Sequence, residues 1–258
     1  MNIGESKKTN MILRFIDQDK KYEMEQFIEE VKMQKFMEID SQEALQKIFK
    51  DNISEFLELV TQDELLDLRS YTGYNFKNIN AILRGNWTYE ENGRLDEDKK
   101  RRLFDLSNKI STILNKFPTL PYNFTTYRGT SLSQFFKYGI TSIKDLENMK
   151  DKYMYEEGFT STSIIEDSCY FNKKLDTGLN YNVKIKYLIT PEYDEGALLA
   201  DNNMSYSISQ NEYLINKSSL SKVIDVEINQ ELNQAILTVA LVPRKRWDFV
   251  KEENNKVK

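Results

Sequence analysis

An arginine, a serine and a glutamine–glutamate pair stand at three separated points of the chain, each beside residues that favour strands. They are Arg128 in Tyr127-Arg128-Gly129, Ser161 in Ser161-Thr162-Ser163 behind Gly158-Phe159, and Gln210-Asn211-Glu212 running into Tyr213-Leu214-Ile215. A guanidinium at a strand end would make paired, charge-assisted hydrogen bonds to a phosphate, and Gly129 would let a ligand approach the backbone closely. Glu212, at the mouth of an apolar strand, would be partly desolvated and so act strongly on positive charge developing nearby. Ser161 would donate to that carboxylate and fix its orientation. In an extended segment residues i and i+2 project to one side, so Gln210 would face the same cleft as Glu212. Taken singly, each also fits a plainer reading: a solvated arginine, a hydroxyl-rich edge strand, a surface glutamate at a strand start.

The rest of the composition narrows the chemistry. Histidine is absent from the 258 residues, which excludes imidazole bases, Ser-His-Asp and Cys-His triads and histidine–zinc sites. No metal is therefore expected. Neither G-x-G-x-x-G nor G-x-x-x-x-G-K-[ST] occurs, so a dinucleotide would not bind in the Rossmann manner. The single cysteine, Cys169, has no basic neighbour and reads as a small bystander. A net charge of −5 argues against a general nucleic-acid surface, and no nucleic-acid partner is expected. No run approaches the length of a membrane span, and the first residues carry no signal-peptide pattern; a signal is read as removed or absent.

Elements that would position these residues follow from periodicity. The stretch from Thr9 to about Leu57 lacks proline and glycine and repeats apolar residues at helical spacing, predicting two or three helices. Further helices are predicted over Asp63 to Leu83 and Glu97 to Phe117, the latter on the stripe Leu103, Leu106, Ile110 and Ile113. After Pro121 the pattern turns to strands, at Phe124 to Arg128, Phe159 to Ser163, Val183 to Tyr187, Tyr213 to Ile215, Lys222 to Ile228 and Ala235 to Val242. This gives an α+β class, a helical N-terminal half followed by a half dominated by strands. One domain over 1–258 is expected, with helices of 1–60 packing on the core and 250–258 as a disordered tail.

The order and spacing of the three clusters resemble the mono-ADP-ribosyltransferase toxin superfamily, in particular the Rho-inactivating exoenzymes and the enzymatic subunits of actin-modifying binary toxins. Their motif order is aromatic-Arg, Ser-Thr-Ser, then Gln/Glu-x-Glu. Upstream, Tyr71-Thr72-Gly73-Tyr74 and Asn78-Ile79-Asn80-Ala81-Ile82-Leu83-Arg84 resemble the Tyr-Thr step and Ile-Asn-x-x-Leu-Arg helix of those toxins, so that the likeness runs from about Asp63 to Val242. Asn80 and Arg84 are four apart and would share a helix face.

The resemblance implies an ADP-ribosyltransferase fold, with a mixed or antiparallel two-sheet β core around an NAD-binding cleft, NAD as substrate, and transfer of ADP-ribose to a host protein. Arg128, with Gly129, would clamp the NAD phosphates; Tyr71, Asn80 and Arg84 would contact phosphates and ribose. Glu212 would be the catalytic carboxylate and Ser161 its orienter. Phe171 and a basic residue, Lys174 or its neighbour Lys173, would complete the NAD site past Ser163. Gln210 would recognise the acceptor, since glutamine there goes with asparagine or glutamine acceptors and glutamate with arginine; an amide pairs with an amide through one donor and one acceptor. Tyr206 is the candidate aromatic for packing on a Rho-type GTPase, one residue further from Gln210 than the toxin pattern has it. Secretion, action in the target-cell cytosol and a translocation component as a further partner are also implied. Three other readings stay open: transfer to guanine, NAD hydrolysis, and an inactive relative that binds a partner protein.

Overall fold

The computed structural model describes residues 7–89, 93–171, 180–201, 204–205 and 211–247. The first part is helical: α1 (Lys7–Phe15), α2 (Gln18–Met33), α3 (Gln42–Leu59), α4 (Gln62–Ser70), α5 (Phe76–Arg84) and α6 (Glu97–Leu114). Polar caps set the starts. Asp17, Ser41 and Asp96 each accept the N–H three residues on, and Thr61 with Glu64 forms a reciprocal capping box ahead of α4. Gly85, at φ 68°, ends α5 in the left-handed conformation.

One helix was expected over Asp63 to Leu83. The structure breaks it with a wide π turn at Tyr71–Asn75, where Thr72 and Gly73 are poor helix formers. That turn changes the helical phase and carries Tyr71 into the core, 2% exposed.

The second part supplies β1 (Phe124–Thr130), β2 (Tyr153–Glu156), β3 (Thr160–Ser163), β4 (Val183–Ile189), β5 (Gly196–Leu199), β6 (Glu212–Ile215), β7 (Ser219–Asn229) and β8 (Gln234–Val242). Strands β2 and β5 had not been expected; each is only four residues long. The strand order is β2-β7-β8-β4-β1-β3-β6-β5. Among the described strands only β4 and β8 pair in parallel with each other, so the core is mixed. It is also two ladders rather than one even sheet: β1 pairs β4 along its whole length but meets β3 at the single register pair Tyr127 and Ser163. The α+β class and the mixed sheet core expected from the sequence are present, the strands following one eight-stranded order that narrows between β1 and β3.

Helices cover the sheet from both sides. Ile16 with Met24, Phe27, Ile28 and Val31 of α2 packs on Tyr153, Leu188, Leu220, Ala240 and Val242. On the alternate residues of the same strands, Ile185, Leu237, Val239 and Val223 join a larger core with Phe49, Phe56, Leu68, Ile79 and Ile110 of α3 to α6. Burial of such alternating faces fixes the register, because a one-residue slip would exchange the two apolar sets between faces packed against different helices. Among the described residues no helix is long and apolar enough to cross a membrane.

Candidate active site

The site lies where the two ladders part. A continuous β1–β3 ladder would carry the Tyr127–Ser163 pairing on to Gly129 and Ser161. Instead the strands diverge, and the Arg128 guanidinium donates from Nη1 to the Ser161 carbonyl at 2.9 Å. A buried carbonyl without a ladder partner needs a donor, and a side chain of the neighbouring strand provides it. The arginine is thereby held at the opening.

Across β3, strand β6 places Glu212. The register sets Ser163 opposite Glu212 and Ser161 opposite Leu214, so Ser161 is the diagonal neighbour of Glu212 on the same face. Ser163 is engaged elsewhere, donating its hydroxyl to the Ile165 carbonyl at 2.7 Å. Ser161 is the residue that hydrogen-bonds the Glu212 carboxylate. Glu212 is 6% exposed. Burial pushes its carboxyl above the usual carboxylate range, and the Ser161 hydroxyl and the Arg128 charge oppose that rise. Just before it, Asn211 has φ 44° and buries an Oδ1 that has no hydrogen-bond partner among the described residues. Left-handed backbone in a non-glycine residue and an unsatisfied amide oxygen are both local costs, found at the position that aims the carboxylate.

The π turn and α5 supply the third side. Tyr71 packs edge-on against Phe159, with ring centroids 5.1 Å apart, and its hydroxyl accepts from Asn80 Nδ2 at 3.3 Å. Burial, and then the Glu212 charge, push the Tyr71 hydroxyl well above its ordinary range, whereas the Arg84 and Arg128 charges pull the other way. Asn80 Oδ1 accepts the Phe159 N–H at 2.9 Å. Arg84 donates from Nε to Glu156 Oε1 at 2.7 Å and from Nη2 to the Phe159 carbonyl at 3.4 Å. Asn80 and Arg84 thus do share one face, and the β2–β3 turn wraps around both. Gly158 makes this possible: a Cβ there would stand 2.6 Å from Asn80 Oδ1 and 3.2 Å from Arg84 Nε.

Arg84 and Arg128 line one cleft together with Lys137, Tyr138, Glu156 and Tyr187. Ser161, Glu212, Tyr71 and Asn80 do not line it; Arg128 is the residue common to the cleft and the carboxylate site. Two guanidinium groups at a cleft edge are a donor set for a diphosphate, and a serine-held carboxylate beside them is placed to act on a cationic centre attached to it.

One expectation is corrected. The close approach at Gly129 is made by the protein itself: a Cβ there would collide with the Tyr170–Phe171 backbone. Phe171 is held at this spot by Lys184, whose Nζ lies 5.1 Å from its ring centroid while also pairing with Glu166. Gln210, Tyr206, Lys173 and Lys174 lie outside the described residues. Glu156 is the polar group that the motifs did not indicate. Its sequence signal, a second acidic residue beside Glu157 ahead of Gly158, is the pattern of any solvated turn.

Residues 24–243 match the family model of the ADP-ribosyltransferase exoenzymes. Solved structures of similar fold include C3stau2 from S. aureus with NAD, at 15% identity over 81% of this chain and 100% of that one, TM-score 0.63. Plx2a, an ADP-ribosyltransferase toxin from Paenibacillus larvae, matches at 19% identity over 80% of this chain and 100% of the other, TM-score 0.61. BECa, of a binary enterotoxin of C. perfringens, with NADH, matches at 17% identity over 81% of this chain and 50% of its own length, TM-score 0.60. No curated protein sequence matches the chain.

Proposed function

Because the chain belongs to the ADP-ribosyltransferase exoenzyme family, and is thereby an NAD-dependent mono-ADP-ribosyltransferase, we propose that it transfers ADP-ribose to an asparagine or glutamine side chain of a host protein, a Rho-type GTPase being the first candidate. The observation that carries the catalytic assignment is the Glu212 carboxylate, buried, hydrogen-bonded by Ser161 and within the field of Arg128.

Nicotinamide is bound in NAD as a cationic pyridinium and leaves neutral, so its departure needs no acid. The barrier is the positive charge that passes to the ribose. Glu212 is the carboxylate that opposes this charge, through the ribose 2-hydroxyl, and does so more strongly in the transition state than before it. A low-dielectric setting strengthens that interaction. Ser161 keeps the carboxylate pointed at the reacting centre. Arg128, already fixed by the Ser161 carbonyl, and Arg84 receive the two phosphates, so the same strand that orients the carboxylate also orients its counter-charge. Asn80 and Tyr71 hold the π turn and α5 against Phe159, and take part in the ribose contacts. This division of work requires no imidazole, in keeping with a chain without histidine.

The acceptor is read from Gln210, whose amide would pair with an acceptor amide; Tyr206 would pack on the partner. The site of action is the cytosol of a target cell, reached after secretion. Labelled ADP-ribose transfer to proteins of a eukaryotic lysate, with the modified residue mapped by mass spectrometry, tests this. Label on asparagine or glutamine supports the reading, whereas label on arginine, on guanine, or only on water refutes it. Gln210→Glu is expected to move the label towards arginine.

A further inference from the structure

We propose that Glu156 is a positioning residue for NAD, acting through Arg84; this rests on the reading of Arg84 as a phosphate ligand. The carboxylate takes the Nε edge of Arg84 at 2.7 Å and, with the same Oε1, the Gly158 N–H at 2.9 Å. It is therefore tied to the backbone of the turn that it closes. The Phe159 carbonyl takes one Nη2 N–H. These contacts occupy the inner side of the guanidinium and leave its Nη1 end for a ligand.

Three further observations tie Glu156 to the ligand cleft rather than to packing alone. Arg84, Arg128, Lys137 and Glu156 all line it. The second carboxylate oxygen, Oε2, lies 4.0 Å from Lys137 Nζ, so one acid stands between two of the three cations. The turn that carries Glu156 also holds Asn80 through the Phe159 N–H, so Asn80 and Arg84 of α5 are indexed to the same four residues, Glu156 to Phe159.

A planar guanidinium gripped along one edge has a single orientation in which its far N–H groups reach a phosphate in fork geometry. Without that grip the arginine keeps its charge and loses its aim. The alternative is that Glu156 competes with the phosphate for Arg84, and it predicts the opposite sign. Removing a competing acid would tighten NAD.

Calorimetric titration of NAD separates these. Glu156→Ala is expected to weaken NAD binding about tenfold, the size of one lost charge-assisted contact. Glu156→Gln keeps an oxygen for both the Arg84 Nε and the Gly158 N–H, and should recover most of that loss. In an Arg84→Ala background, Glu156→Ala should add nothing, because the two act as one unit. Should Glu156→Ala fail to fold, Glu156→Asp, which keeps the charge but withdraws the acceptor by one methylene, is expected to weaken NAD in its place. Unchanged or tighter NAD in Glu156→Ala and Glu156→Asp, or a Glu156 effect that adds to that of Arg84→Ala, overturns the proposal. If Arg84→Ala itself leaves NAD affinity intact, the Arg84 reading falls and the proposal with it; the two failures are thus told apart.

Discussion

Arg128 Nη1 donates to the Ser161 carbonyl at the point where β1 and β3 cease to pair. The guanidinium is thus part of the sheet's hydrogen bonding as well as a cation at the cleft, and a substitution there acts on both. Arg128→Lys keeps the charge but cannot both satisfy the carbonyl and present a fork. We expect NAD affinity to fall by about tenfold or more, together with a modest loss of melting temperature, read by titration and thermal denaturation.

Glu212 is held in an unfavourable state for the sake of what it does. Its folded pKa lies above its unfolded value because it is buried. For such a group the associated stability is fully present below the unfolded pKa and is lost as pH rises through the folded pKa, so at neutral pH the ionised carboxylate costs stability. Glu212→Gln is expected to raise the melting temperature by a few degrees, for a gain of roughly 1 kcal/mol. The gain should shrink as pH falls through the folded pKa of the wild-type carboxylate. Equal melting temperatures at neutral pH would contradict this assignment of strain.

The same direction of shift sets the pH dependence of the reaction. In the proposed mechanism only ionised Glu212 opposes positive charge on the ribose, so kcat/KM for NAD should fall on the acid side with a midpoint above that of an ordinary glutamate. A profile flat down to the ordinary carboxylate range would place the titrating group elsewhere.

Gly158 has no room for a side chain between Asn80 and Arg84. Gly158→Ala must displace the pair or the turn, at a cost of about 1–3 kcal/mol, measurable by chemical denaturation. NAD affinity should fall along with stability, since the displaced residues belong to the proposed ligand set. At Gly129 the obstacle is backbone, the Tyr170–Phe171 step, which has less freedom to yield than a side chain; Gly129→Ala should therefore be the more damaging of the two.

How much of this was legible in the sequence depends on the range of each interaction. Arg128, Ser161 and Glu212 were marked by short motifs on apolar or β-branched strands, and the structure brings those three together. Asn80 and Arg84 were legible as an i, i+4 pair, because helical spacing alone puts them on one face. The four-residue strands β2 and β5 were not, as so few residues give no clear alternation. Nor was the π turn, which a helical pattern with a Thr-Gly step conceals. Glu156 escaped because its meaning lies in a partner 72 positions away, a relation that the fold creates. Gly129 was marked as special for the right conformational reason, but the sequence could not say whether ligand or backbone would use the space.

In the proposed mechanism buried Glu212 lowers the barrier to nicotinamide departure rather than binding NAD. Single-turnover release of labelled nicotinamide at saturating NAD, from the native chain and from Glu212→Gln, tests it most directly, with NAD affinity measured alongside. Release slowed by about two to three orders of magnitude is expected, with NAD affinity within about threefold of the native value. Release at an unchanged rate, or a loss explained entirely by weaker NAD binding, would contradict it.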